Sequence, residues 1–451
     1  MKITKKSAKN GTMQRVIFNG AMALFAIGML TMTGCSDSDS SDSSNTLTST
    51  SAGTTSSTTT AAYKQSGGSE SQSNQTYTAS NTDESAVYVT NSGQFTLTNS
   101  TIITTGNTSS QDNSSFYGLN AAVLAESGSA ITLSNSTIST TGTGANGAFA
   151  TGSGSSVALS NVTITATGDG GHGVMATQGG SVTLTEVNIA TTGASSAPIA
   201  TDRGSGTITM TGGSMKASGQ NSPCIYSTGV ITVSNSACAT DGSETAVIEG
   251  GNSISLTNTT LSSSKDGKWG VMIYQSMSGD AEGTQGTFEI TGGSLAYTGS
   301  NGPLFYVTNS TGIITLNSVS VTAASGTLLN ASAGNWGASG SNGGTAIFTA
   351  NGQALSGNFV ADNLSAMTIS LKNGSSLTGA INADNAAKTA SLTLDSSSTW
   401  NVTADSYLTC LNNSGSINSN GHTVLYNSSA CSTLGGKTYA LNGGGSLKPI
   451  N

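Results

Sequence analysis

The chain has 451 residues, of which 8% are charged, 5% aromatic and 35% hydrophobic; an average soluble protein is roughly a quarter charged. So little charge excludes coiled coils and long solvent-facing helices. Acidic residues outnumber basic ones 22 to 14, which excludes the electrostatic footprint of a nucleic-acid binder.

Residues 1–34 read as an export signal. Lys2, Lys5, Lys6, Lys9 and Arg15 precede an apolar run, "VIFNGAMALFAIGMLTMTG", and no acidic residue comes before Cys35. The run ends in Met32-Thr33-Gly34-Cys35, which resembles the bacterial lipobox: an apolar residue, two small ones, then the cysteine whose thiol takes the lipid. The resemblance implies a lipidated Cys35 and a membrane as the first partner. Acyl chains add about 0.8 kcal/mol per buried CH₂, and two or more make a stable anchor. Ser36 follows, where Asp would favour inner-membrane retention, so the expected location is the outer membrane or cell surface. Residues 35–62, rich in Ser, Thr and Asp, cannot bury a core and read as a tether.

From residue 63 to 435 the sequence repeats. The octets "FTLTNSTI" (95–102), "ITLSNSTI" (131–138), "VALSNVTI" (157–164), "VTLTEVNI" (182–189), "ITMTGGSM" (208–215), "ITVSNSAC" (231–238), "ISLTNTTL" (254–261), "FEITGGSL" (288–295) and "ITLNSVSV" (314–321) are apolar at positions one, three and eight. This is the period-two pattern of a strand with one buried face. A turn follows at Asn99, Asn135, Asn161, Gly212, Asn235, Asn258 or Gly292, residue types that tolerate left-handed backbone. A further short segment precedes each octet, and Pro198, Pro223 and Pro303 open it, where proline does least harm to a ladder. Spacings of mostly 23–26 residues suit three short strands per coil of a parallel β-helix. A propeller blade would need about 40–50 residues. The expectation is an all-β solenoid of about 15 coils, each about 4.8 Å from the next, with loops thrown out near 106–117, 262–287 and 331–345. Residues 436–451 would form the C-terminal cap.

The octets, together with "GHGVMATQGGSVTL" and "WGVMIYQSMSGDAEGTQGTFEITGGSL", resemble right-handed parallel β-helix proteins of the pectate-lyase-like superfold, and among them bacterial adhesin-like repeat proteins and autotransporter passengers. The resemblance implies adhesion or cell-surface interaction through a glycan or protein ligand, without catalysis. It differs from an autotransporter in lacking a C-terminal run of lipid-facing strands.

A polysaccharide hydrolase or lyase of this fold is the alternative. "GDGGHGVM" (168–175) holds Gly171-His172-Gly173, a triplet found in such hydrolases, but Asn81-Thr82-Asp83 lies several coils away and neither Asp-Asp nor Arg-Ile-Lys occurs. Glu126 and Glu249 share a column five coils apart, Asp169 and Asp266 another four coils apart, and no two carboxylates fall in one column on adjacent coils. His172 therefore reads as a turn residue. The hydroxyl columns at octet positions two and four resemble those of ice-binding solenoids, a third reading that Ala158 and Glu289 weaken. The densest charge and aromatic content lies in the 262–287 insertion: Lys265, Asp266, Lys268, Trp269, Tyr274, Asp280 and Glu282 form the candidate binding patch. Cys410 with Cys431, and Cys224 with Cys238, are candidate disulfides. No zinc-ligand spacing occurs, and no metal or cofactor is expected.

Overall fold

The structure is a computed structural model that describes residues 59–450. The expected signal, Cys35 and most of the expected tether lie outside the described residues. The described chain is a parallel β-solenoid of about 16 turns with a single α-helix.

Twelve successive coils each contribute a strand to a parallel sheet, face A, running from Thr60–Ser66 to Asn358–Ala361. The octet and the strand after it form face B. In four coils these two segments join into one eleven-residue strand, as in Ser156–Ala166. The expected turn between them is a single left-handed residue that bends the strand without breaking its ladder. All seven predicted turn residues have positive φ, between 48° at Asn258 and 70° at Gly212, and Glu186 (φ 52°) fills the same place in its coil.

The apolar columns align in register. Phe95 pairs with Ile131, Ile131 with Val157, Val157 with Val182, and the series continues through Ile314 to Phe348 and Ile369. Every residue of the three octet columns is buried except Val321, which is partly buried. No coil has a core alone; each contributes a thin layer to a continuous stack. After residue 345 the pattern persists in Thr345–Asn351, Ala366–Lys372 and Thr389–Leu394, where the octet motif had blurred. An antiparallel pairing of Tyr439–Ala440 with Ser446–Pro449 ends the described chain.

Stacked turns bring backbones into contact. At Gly142, Gly168 and Gly193 an added Cβ would lie 2.0, 2.0 and 2.2 Å from the carbonyl oxygen of Gly106, Gly142 and Gly168. Only glycine fits this column. The two disulfide candidates, Cys224–Cys238 and Cys410–Cys431, are both bonded. The first links the end of one turn to the inward eighth-position column of the same coil.

Candidate functional site

Alternation along face A puts one set of side chains into the core and the other outward. The outward set is nonetheless apolar and buried. Its first column runs Tyr88, Leu124, Phe149, Met175, Ala200, Tyr226, Val247, Met272 and Tyr306. A strand buried on both faces reads as a continuous apolar run, as "VMAT", "AVIE" and "VMIY" do here.

All three predicted insertions supply cover to this face. The first holds helix α1, Gln111–Tyr117, capped by Ser110 Oγ, which accepts from Asn113 N, and closed by Gly118 at φ 76°. A Cβ at Gly118 would lie 2.7 Å from Leu124, so the helix end presses directly onto the sheet. The second brings Trp269 against Tyr306, ring centroids 4.5 Å apart and nearly parallel. The third brings Trp336 against Tyr274 at 5.0 Å.

The second outward column is polar. It runs Glu126, Thr151, Thr177, Asp202, then Glu249, Tyr274 and Thr308. In the coil between Asp202 and Glu249 the strand ends at Ser227, one residue short of this column. Glu249 is 2% exposed. It accepts hydrogen bonds from Tyr226 Oη, from Tyr274 Oη at 2.8 Å and from Ser276 Oγ. Burial, then the Glu249 charge, hold both phenols well above the ordinary tyrosine range, so they remain donors.

Ser276 begins a tightly bonded loop. Its Oγ lies 2.7 Å from Ser278 Oγ, Ser278 Oγ donates to Asp280 Oδ2 at 2.8 Å, and Arg203 Nη2 pairs with Asp280 Oδ1 at 2.9 Å. Buried Gln275 ties the loop's far side through the carbonyls of Ala281 and Gly283. At the loop tip Met277 is 62% exposed and held at φ 65°, a conformation that a bulky residue adopts only when its surroundings impose it. Arg203 faces the other way too: its guanidinium lies 3.9 Å from the centroid of the Phe116 ring of α1. Arg203 thus joins the helix and the loop.

Asp202 lies beside that bridge, 2% exposed, with Arg203 N donating to Oδ1 at 2.7 Å. Burial, then the nearby Asp280 carboxylate, push its carboxyl up to about 8.

The predicted patch therefore divides. Tyr274 and Asp280 enter the network, but the Tyr274 ring is packed and offers no open face. Lys268 pairs with buried Glu244 at 3.3 Å, beneath Trp269. Lys265 and Asp266 lie in an exposed turn, where Asp266 accepts from Ser300 N at 2.6 Å and is held below the usual carboxylate range by it. Glu282 contributes its backbone carbonyl to Gly251 and leaves its side chain exposed. The sequence reading missed Asp202, Arg203, Tyr226 and Ser276. The signal was present: "IATD" (199–202) ends in an acid at the same strand position as "VLAE" and "AVIE".

His172 is buried within a turn ladder. Its backbone N donates to Asn146 Oδ1 at 2.9 Å and its Nδ1 accepts from Ala197 N at 3.0 Å. Among the described residues no three His, Cys, Asp or Glu side chains converge as metal ligands. Comparison with protein families, curated proteins and solved structures found no match.

Proposed function

We propose that this chain is an exported lipoprotein, anchored through acyl chains on Cys35 to the outer membrane or cell surface, whose rod acts in adhesion or cell-surface interaction without turnover. The observation that carries this reading is the convergence of all three insertions on one face. Elsewhere the rod's surface is mostly small hydroxyl side chains; on face A the insertions add the half-buried Trp269 and Trp336, the part-exposed Arg203 and the exposed loop tip at Met277. A partner glycan or protein finds its specific contacts there.

Asp202 and Glu249 stand two coils apart, roughly 9.6 Å along the column at the strand spacing, close to the separation used by inverting glycosidases. Four donors already engage Glu249, from Tyr226 Oη, Tyr274 Oη, Ser276 N and Ser276 Oγ, which leaves it poorly placed to activate water. Binding is therefore the better use of the pair.

The test uses the full chain in detergent. Palmitate incorporation should be lost in Cys35→Ser. On glycan and matrix arrays the chain should bind without consuming its ligand, and replacing 276–282 by a Gly/Ser loop should abolish binding. Release of reducing or unsaturated sugar ends that Glu249→Gln abolishes would overturn the reading in favour of an enzyme. Thermal hysteresis lost in Thr209→Lys would overturn it in favour of ice binding.

A further inference from the structure

We propose that a cavity on face B, between Lys216 and Asp241, is a binding site for one neutral sugar residue, the terminal unit of a glycan being its natural ligand. The site does not rest on the reading of face A.

The first observation is a break in two columns. Along the second strand of face B the outward column runs Thr165, Ala190, Lys216, Ala239 and Ser262 in register. Two residues further on in each coil stand Thr192, Ser218, Asp241, Ser264 and Thr298. Small residues hold all of these places except two, and those two are opposite charges on adjacent coils. In a chain that is 8% charged, such a departure from the repeat marks a functional place.

Lys216 and Asp241 do not satisfy each other. Lys216 pairs with Ala239 and Asp241 lies two residues beyond, so their Cα positions are about 8 Å apart at the strand spacing and rise. Among the described residues neither enters an ion pair or a side-chain hydrogen bond.

The second observation is the space between them. A cavity of about 180 Å³ opens there, its lining completed by Ala217, Ala239 and five hydroxyl side chains. Sites for drug-sized ligands start at about 300 Å³, so this one admits a single small ring. Two of the hydroxyls, on Thr240 and Thr298, already donate to the carbonyls of Ser222 and Ser263. The side chains of Ser262, Ser263 and Ser264 have no partner. Ser263 is 1% exposed, and a buried hydroxyl left unpaired is unfavourable. Thr104, Thr140 and Thr191 of its column are unpaired too, so the hydroxyl points to a ligand only together with the cavity and the two charges beside it.

Sugar chemistry fits this set. The Asp241 carboxylate only accepts and the Lys216 ammonium only donates. A simple anion would meet Asp241, and a simple cation would meet Lys216. A polyol serves both, since each hydroxyl donates and accepts. Two adjacent ring hydroxyls donate to Asp241, and a third oxygen accepts from Lys216. The C–H face of the ring lies against the two alanines, and the three free serines meet its remaining hydroxyls.

The test is saturation-transfer NMR and titration of the full chain, in a sugar-free detergent, with the methyl glycosides of glucose, galactose and mannose. Glucuronate and alanine serve as anionic and zwitterionic probes. We expect at least one neutral glycoside to bind, weakened at least tenfold by Asp241→Asn and several-fold by Lys216→Met. Ala239 is exposed, so Ala239→Trp fills the cavity without entering the core and should abolish binding at an unchanged melting temperature. Ala190→Trp, in the same column two coils away, should change nothing. Failure of every neutral glycoside to bind, preference for glucuronate or alanine, binding that survives Ala239→Trp, or an equal loss in Ala190→Trp overturns the proposal. Replacing 276–282 by a Gly/Ser loop should leave glycoside binding unchanged; its loss there would put the ligand on face A and overturn this site.

Discussion

Faces A and B are built from the same two-residue alternation, and their outward sides are opposites. On face B the outward columns hold Thr132, Ala158, Thr183 and Thr209, mostly exposed, and the same column accepts Glu289 without strain. On face A the outward columns hold Phe149, Met175 and Tyr226, all buried. The coils that bear face A's neighbours also carry the longest insertions, and those insertions fold back onto it. A solenoid needs only one apolar side per strand to form its stack. A second apolar side is an addition to the fold, and two of the chain's three tryptophans, Trp269 and Trp336, pack on it.

A charge placed outward on each face separates the two most sharply. Met175→Glu puts an unpaired carboxylate into a dry layer beneath α1 and should destabilise by about 3–5 kcal/mol. Thr183→Glu adds the same group to face B and should stay within about 0.5 kcal/mol of the parent. Urea unfolding of both variants measures this. Comparable losses would mean that face A's cover is loose and its burial unimportant.

The turns that join the faces give a smaller, pH-dependent effect. Burial lowers His172 from 6.5 to about 4 in the folded chain. The folded state therefore holds the neutral ring, and its contribution to stability is present above pH 6.5 and lost as pH falls towards 4. At 1.36 kcal/mol per pH step the loss is on the order of 3 kcal/mol. His172→Asn keeps an acceptor for Ala197 N and repeats the role of Asn146, whose Oδ1 accepts from His172 N, so it should be stable at pH 7 and resist this acid loss. Asp202 acts in the opposite sense. Its raised carboxyl keeps a proton that the unfolded chain has released, so its stabilising contribution is complete below about pH 4 and declines as pH rises through about 8; Asp202→Asn should flatten that alkaline limb. Unfolding curves between pH 4 and 9 resolve both slopes, and unchanged slopes would refute both assignments.

Face B was legible because its signal is local. Position-one and position-three residues, an Asn or Gly turn and a returning apolar residue repeat within eight letters, and the strand register runs through them without a slip from Phe95 to Ile314. His172 was legible as part of a turn, though its burial was not: a histidine substitutes for asparagine in a ladder only because Nδ1 accepts from the next coil. The Glu249 site was half legible. Its loop stood out in composition, which gave Tyr274 and Asp280. Asp202 did not, because "IATD" is short, apolar and aligned with its neighbours only through a ladder of strands, and Arg203 then reaches Asp280 across 77 positions of sequence. The glycine column had a signal in the recurring Thr-Gly and Ser-Gly of each third turn, but its cause, one backbone touching the next, is a property of stacking.

The smallest expected effect tests whether the two covering elements of face A act together. Arg203 is 45% exposed in its side chain and its partner Asp280 is 23% exposed. An ion pair so open to water is worth at most about 1 kcal/mol, so Arg203→Ala should barely move the global unfolding midpoint. Yet Arg203 touches Phe116 on one side and Asp280 on the other. Losing it should speed amide exchange both in α1 and across 275–283, while exchange in face B strands such as Ser181–Thr191 stays unchanged. Arg203→Lys sharpens the point: it retains the charge for Asp280 but lacks the planar group that stacks on Phe116, so the loop should stay protected and the helix should loosen. If both elements keep their protection in Arg203→Ala, each is held by its own contacts with the sheet, and the bridge between them carries no coupling.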